Sequence, residues 1–293
     1  MSDMDGIVKK GGGEGSPLLE VRGVSTWYPI KTGILARTTG WVKAVNGVDM
    51  DINAGETVCV VGESGCGKST LARTILRLEK PRAGSIKVEG KDVLKLSGKA
   101  LKEYRRTVQV VFQDPMASLN PRMTILETLT EGALAHGLVK REDLRPFASG
   151  LLREVDLEES FLDRYPHEFS GGQRQRICVA RALALKPRLL ICDEAVTALD
   201  VVVRAKVLEL LMQLQKTRGL SYLFITHDIG VVRRIASRVV VMYKGRVVES
   251  GPAASVLDNP QAPYTKYLLR SVPVIGQPLP EETDRDFEDN QEA

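Results

Sequence analysis

No apolar run in this 293-residue chain approaches the ~20 residues that a membrane-spanning helix requires. The longest, such as Val239 to Tyr243, have strand length, so any membrane contact is expected to come through partners. Cysteine is scarce: Cys59, Cys66, Cys178 and Cys192 show neither C-x-x-C nor zinc-type spacing. This excludes a dithiol redox motif and a zinc module, and it points to buried free thiols. Residues 1–17 are Gly-rich and lack the apolar stretch of a secretory signal, so they read as a flexible leader and the protein is expected to stay in the cytosol. Sustained heptads and recognised nucleic-acid motifs are also missing, and no nucleic-acid partner is expected.

What remains is a chain with 43% hydrophobic residues, long enough for one large α/β domain or a core domain carrying a smaller inserted one. The net charge is +4, but the tail from Glu281 to Ala293 holds seven acidic residues and one Arg. The body therefore carries 40 basic against 30 acidic residues. These charges are dispersed with one another, and a nucleotide enzyme also needs positive potential.

Leu18 to Val24, Val48 to Ile52 and Thr57 to Val61 read as strands, and Ser69 to Leu78 reads as a helix after a Gly-rich turn. From Asp114 to Phe169 the pattern becomes helical, broken by Pro115, Pro121, Pro146 and Pro166. Helices are expected at Arg174 to Leu185 and Ala205 to Gln215, and strands at Leu189 to Cys192, Tyr222 to Ile225, Val239 to Tyr243 and Arg246 to Glu249. Alternation of this kind implies a mostly parallel sheet.

Gly62-Glu63-Ser64-Gly65-Cys66-Gly67-Lys68-Ser69-Thr70 fits G-x-x-x-x-G-K-[ST] between a predicted strand and a predicted helix. The glycines allow a turn whose N–H groups face phosphates, Lys68 supplies a point charge, and Ser69 is a Mg²⁺ ligand. Leu189 to Cys192 is an apolar run that ends in Asp193-Glu194, which places Asp193 at the exposed C-terminal end of a buried parallel strand, where ligands bind in open α/β sheets. Asp193 would hold Mg²⁺ and Glu194 would face the attacking water. Alone, the same pattern also fits a structural turn. Ser170-Gly171-Gly172-Gln173 opens a helix and makes a second anion site. One nucleotide does not need two such sites from one chain, so two chains packed head to tail are implied.

The glycine loop, the S-G-G-Q signature and Asp193-Glu194, in that order, resemble an ABC-type nucleotide-binding domain. Within that family, four stretches resemble the oligopeptide/dipeptide importer branch: those beginning at Val61, Phe112, Asp163 and Pro263. The resemblance implies an α/β fold with a RecA-like P-loop NTPase core, an N-terminal antiparallel β portion and an inserted α-helical subdomain at about 114–170. The domain would span 18–255, followed by a transporter-type extension at 256–275 and an acidic disordered tail at 276–293. ATP is the implied cofactor together with Mg²⁺, which Ser69, Gln113 and Asp193 would ligate. Glu194, His227 and Lys68 take catalytic roles, Asp200 sits at the dimer seam, and Tyr28 stacks on adenine.

The implied partners are two transmembrane permease subunits, a second, non-identical ATPase and an extracytoplasmic substrate-binding protein, placing the chain peripherally on the cytoplasmic face of the inner membrane. The implied activity is ATP hydrolysis coupled to uptake of dipeptides or oligopeptides, with nickel chelates, glutathione or opines as alternative cargo of the branch. Two departures stand out. Ala195 replaces the usual Pro after the catalytic Glu, and no Cys follows Cys192, so no iron–sulfur cluster is expected. The basic insertion from Lys31 to Lys43 reads as a solvated hairpin rather than a lipid contact.

Overall fold

A computed structural model describes residues 16–32 and 37–271. The expected leader and acidic tail lie outside the described residues, apart from Ser16 and Pro17. Two sheets organise the chain. The first is antiparallel, in the order β2-β1-β4-β5, built from β1 (Leu19–Thr32), β2 (Arg37–Ile52), β4 (Ala83–Val88) and β5 (Lys91–Asp92). β1 and β2 form one long hairpin with several register shifts, the first of them at Gly23, which takes φ +57°.

The second sheet has the order β10-β9-β3-β8-β7-β6. Its strands are β3 (Thr57–Val61), β6 (Val108–Val111), β7 (Leu189–Asp193), β8 (Ser221–Ile225), β9 (Arg238–Tyr243) and β10 (Arg246–Pro252). All of its pairings are parallel except that of β9 with β10, which Lys244-Gly245 joins as a tight turn. Every residue of β3, β7 and β8 is buried, as expected of strands covered on both faces.

The two-residue period of a strand sorts their side chains between two cores. Val58, Val60, Leu189, Ile191, Leu223 and Ile225 face a core shared with α1 (Lys68–Ile75) and the antiparallel sheet. Cys59, Val61, Leu190, Cys192, Tyr222 and Phe224 face a second core. There they meet the inserted helices α4 (Ile125–Ala135) and α5 (Leu144–Glu154), with α6 (Gly171–Leu183) and α7 (Val201–Arg218) beside them, while α3 (Pro115–Ser118) buries none of its residues. The insertion has its own local order: Thr124 and Glu127 form a capping box at the start of α4, and Arg145 holds Asp163 through two bonds of 2.9 and 2.8 Å.

α2 (Gly98–Thr107) leads into β6 and packs against it, α8 (Ile229–Ile235) packs beside β3 and α9 (Ala253–Asp258), and the described chain closes with α9 and α10 (Pro263–Arg270). β4, β5, α2, β6 and α8 were not expected from the sequence. The four cysteines are buried and unpaired, and burial pushes the Cys178 thiol up to about 11. Among the described residues, no helix is long and apolar enough to cross a membrane.

Candidate active site at the phosphate loop

The glycine loop leaves β3 and enters α1 through three residues with positive φ: Gly62 (+150°), Gly65 (+82°) and Gly67 (+109°). A Cβ at Gly62 would collide with the carbonyl of Met242, and one at Gly67 with that of Ala44, so neighbouring strands close on the loop from both sides. Gly67 caps α1 with no side-chain partner, which leaves the first-turn amides of that helix open to an anion. The Lys68 ammonium is buried and donates to the carbonyls of Gly62 at 2.8 Å and Glu63 at 2.7 Å. Cys66 lies under the loop, and Glu63, Ser64 and Gly65 are exposed.

Ser69, in the first turn of α1, donates a 2.9 Å hydrogen bond to Asp193 at the end of β7. Burial pushes the Asp193 carboxyl above its ordinary value. The Ser69 bond opposes this shift, the Glu194 charge adds to it, and Arg73 and Lys68 draw it down. Glu194 follows with φ +50°, its N–H bonded to Ile225 of β8 at 2.9 Å and its carbonyl accepting from the Thr197 hydroxyl at 2.8 Å. This backbone anchoring turns the carboxylate toward His227, whose Nδ1 lies 3.4 Å from Glu194 Oε1. Ala195 is buried in the same turn.

A cavity of about 520 Å³ joins Ser69, Gln113 and Asp193 and is also lined by Arg73 and Arg181. Hydroxyl, amide and carboxylate oxygens suit Mg²⁺, which takes one or two carboxylates and completes its shell with water and phosphate. No group of three His, Cys, Asp or Glu side chains that could by itself hold a metal ion occurs among the described residues. Arg73 belongs to no sequence motif, and its place one turn after Ser69 on α1 is the signal that brings it to the site.

Other expected residues stand apart. Tyr28 is half-exposed on β1 and pairs with Val42, two residues from the Ala44 carbonyl that abuts Gly67. Ser170 and Gln173 cap each other at the start of α6, by bonds of 3.0 and 3.3 Å. Their neighbours are Leu199 and Val203, close to Gly171 and Gly172, and no hydrogen bond among the described residues joins them to the glycine loop. Asp200 is exposed and caps α7 through the Val203 N–H at 2.9 Å, a structural role in its own right.

A strand–glycine loop–helix unit with a hydroxyl–carboxylate pair and a Glu–His pair at the C-terminal ends of adjacent interior strands defines a P-loop nucleotide-binding site. A family described as "ABC transporter" matches residues 45–197, and one described as "Oligopeptide/dipeptide transporter, C-terminal region" matches residues 248–292. The chain belongs to the ABC transporter family, as an ATP-binding subunit of its oligopeptide/dipeptide branch.

Among similar proteins, the glutathione import ATP-binding protein GsiA of Pectobacterium atrosepticum is 48% identical over 258 residues, covering 88% of this chain and 41% of that protein. GsiA of Escherichia coli K12 is 50% identical over 261 residues, covering 89% and 42%. The chain thus spans about two-fifths of the length of these curated relatives.

The fold matches the dimeric post-hydrolysis state of the ATP-binding cassette MJ0796 bound to ADP and Pi, with TM-score 0.70 and 31% identity over 80% of this chain and 98% of that one. It also matches cbiO1 from Clostridium perfringens, with TM-score 0.70 and 28% identity over 83% and 91% of the two chains. The core is therefore the RecA-like P-loop type, with its antiparallel N-terminal sheet and inserted helices, as the sequence implied.

Proposed function

We propose that this chain is the motor subunit of an importer, working at the cytoplasmic face of the membrane. The observation that carries the reading is the convergence of Ser69, Asp193, Glu194 and His227 beside the glycine loop at the C-terminal ends of β3, β7 and β8. The open amides of α1 and the Lys68 charge bind the β- and γ-phosphates, and Tyr28 offers a π-face to adenine. Mg²⁺, when bound, supplies positive charge against the phosphate oxygens; Ser69, Asp193 and Gln113 are the residues that would hold it.

Glu194 orients and polarises the attacking water, and His227 donates toward the γ-phosphate. Ser170 to Gln173 face the nucleotide of a second ATPase, so closing the pair completes two composite sites. Opening and closing are then passed to two permease subunits, with an extracytoplasmic binding protein delivering cargo.

The cargo best supported is glutathione, ahead of a general dipeptide or oligopeptide range, because the similar proteins reported above carry glutathione import in their names. The test is ATP-dependent uptake by the assembled transporter of labelled glutathione and of labelled dipeptides, each in competition with the other. Saturable glutathione uptake that dipeptides fail to compete supports this reading. Efficient dipeptide uptake that glutathione fails to compete would restore the peptide reading.

A further inference from the structure

Tyr264 of α10 lies 201 residues after Glu63, yet its hydroxyl oxygen accepts a 3.0 Å hydrogen bond from the Glu63 backbone N–H. Glu63 belongs to the exposed arc of the glycine loop, and its own carbonyl is held by Lys68 at 2.7 Å. The two peptide groups flanking Glu63 are therefore tied from opposite directions. One tie comes from the cation that is to meet the phosphates, the other from the C-terminal helix.

The Tyr264 ring is itself placed with care. It is buried at 3% exposure and packs on Tyr243, at the end of β9, with ring centroids 4.4 Å apart. The next turn, Lys244-Gly245, touches the same loop, since the Gly245 N–H bonds the Cys66 carbonyl at 2.9 Å. Helix α10 starts at Pro263 after Ala262, a residue whose side chain cannot cap it. Glu249 of β10 holds the approach to the helix instead: its two carboxylate oxygens accept from the N–H groups of Gln261 at 2.8 Å and Ala262 at 3.0 Å. A continuous path thus runs from Glu249 through the start of α10 and the Tyr264 hydroxyl to the glycine loop.

We propose that Tyr264 is a positioning residue for the phosphate loop: α10, oriented by Glu249, uses its hydroxyl to hold the Glu63 amide and so preorganise the loop for nucleotide. The inference rests on the nucleotide-binding reading of this site. A loop with glycines at three positive-φ positions has many conformations to lose on binding, and a fixed amide removes part of that cost in advance. Tyr264 touches no reacting atom, so its effect falls on affinity and not on the chemical step.

The test compares the full chain with its Tyr264→Phe variant, which keeps the ring against Tyr243 and deletes the hydroxyl. MgATP affinity should weaken roughly three- to tenfold, the size expected for one lost hydrogen bond to a semi-buried amide. KM for ATP should rise in step, with kcat within about twofold of the parent. Glu249→Ala should shift affinity in the same direction, and the double variant should be no weaker than the worse single one, because both act through one bond.

Parental affinity in Tyr264→Phe, or additive losses in the double variant, would overturn the role of Tyr264 while leaving the ATPase assignment intact. A parent chain that binds no MgATP, and is indistinguishable from Lys68→Ala, would overturn the nucleotide-binding reading and this inference with it.

Discussion

Replacing Glu194 by Gln tests the assignment of the general base with little collateral change. The side chain keeps its size and one acceptor oxygen, and the turn around it is held by the backbone bonds to Ile225 and Thr197, which the amide leaves alone. With the side chain 19% exposed and Asp193 next to it, loss of the negative charge removes a repulsion and breaks no ion pair except the 3.4 Å contact with His227. A substitution of this kind should move stability by less than about 0.5 kcal/mol, or less than about 2 °C in a domain of this size. General-base catalysis is worth roughly 10²- to 10⁴-fold, about 2.7–5.4 kcal/mol of barrier, so hydrolysis should fall by at least about two orders of magnitude while ATP affinity stays near parental.

The assay is single-turnover cleavage at the composite site containing this chain's glycine loop, run beside an equilibrium binding measurement. The ATP-bound closed pair should accumulate. Near-parental cleavage would refute the catalytic role, and lost affinity with normal cleavage of bound ATP would make Glu194 a binding residue.

Lys68→Ala should abolish tight ATP binding, since it deletes the buried cation beside the phosphates and also the two ties to Gly62 and Glu63; equal affinity in variant and parent would refute the assignment. Asp193→Asn keeps an acceptor for Ser69 and removes a charge that burial disfavours, so the nucleotide-free melting midpoint should hold or rise while the extra stabilisation by MgATP over ATP alone is lost. A midpoint several degrees below the parent would show that the carboxylate is a structural partner first. Asp114 to Met123, which includes helix α3 with no buried residue and with Met116 exposed, should crosslink through introduced cysteines to cytoplasmic loops of a permease with ATP-dependent yield. Absence of crosslinks in every nucleotide state would argue against that docking surface.

The strands that build the site were legible because their chemistry is uniform. Thr57–Val61 was read with its observed bounds, since five buried residues between a turn and a glycine loop admit little else. Leu189–Asp193 was read one residue short, stopping before the carboxylate whose position at the strand end gives it its role. The missing elements lacked punctuation. β6 begins directly where α2 ends, at Thr107–Val108, with no turn residue between them, and β4 opens with an exposed Ala-Gly pair before its apolar alternation begins. β1 continues eight residues beyond the expected end at Val24, through Pro29, because the hairpin partner supplies the pairing that local propensity does not. Lys68, Ser69, Asp193, Glu194 and His227 were legible because each sits at a fixed offset from a strand end. Tyr264 and Glu249 were not, because their meaning lies in contacts with Glu63 and α10 that no local spacing encodes.

The proposed function also accounts for an arrangement that a solitary nucleotide enzyme would have no reason to carry. Val201 and Val202, in the first turn of α7, are 78% and 64% exposed, an apolar pair next to the capping Asp200. Gly172 of the signature leaves so little room that a Cβ there would strike Val203, in the same turn. The signature is thus fitted against α7 of its own chain, while the Ser170 and Gly171 end of α6 stays exposed. Such a surface has its polar groups arranged for an anion and its apolar residues placed for a protein contact, yet the phosphate loop of the same chain is turned to other neighbours: Ala44, Met242, Asp193 and Tyr264. Under the proposed function, the two halves would become one site when a second ATPase brings its own loop to this face. On that proposal, the exposure of Val201 and Val202 in the lone chain would be the cost of a contact formed during the cycle, with the nucleotide at the seam deciding when that contact is made.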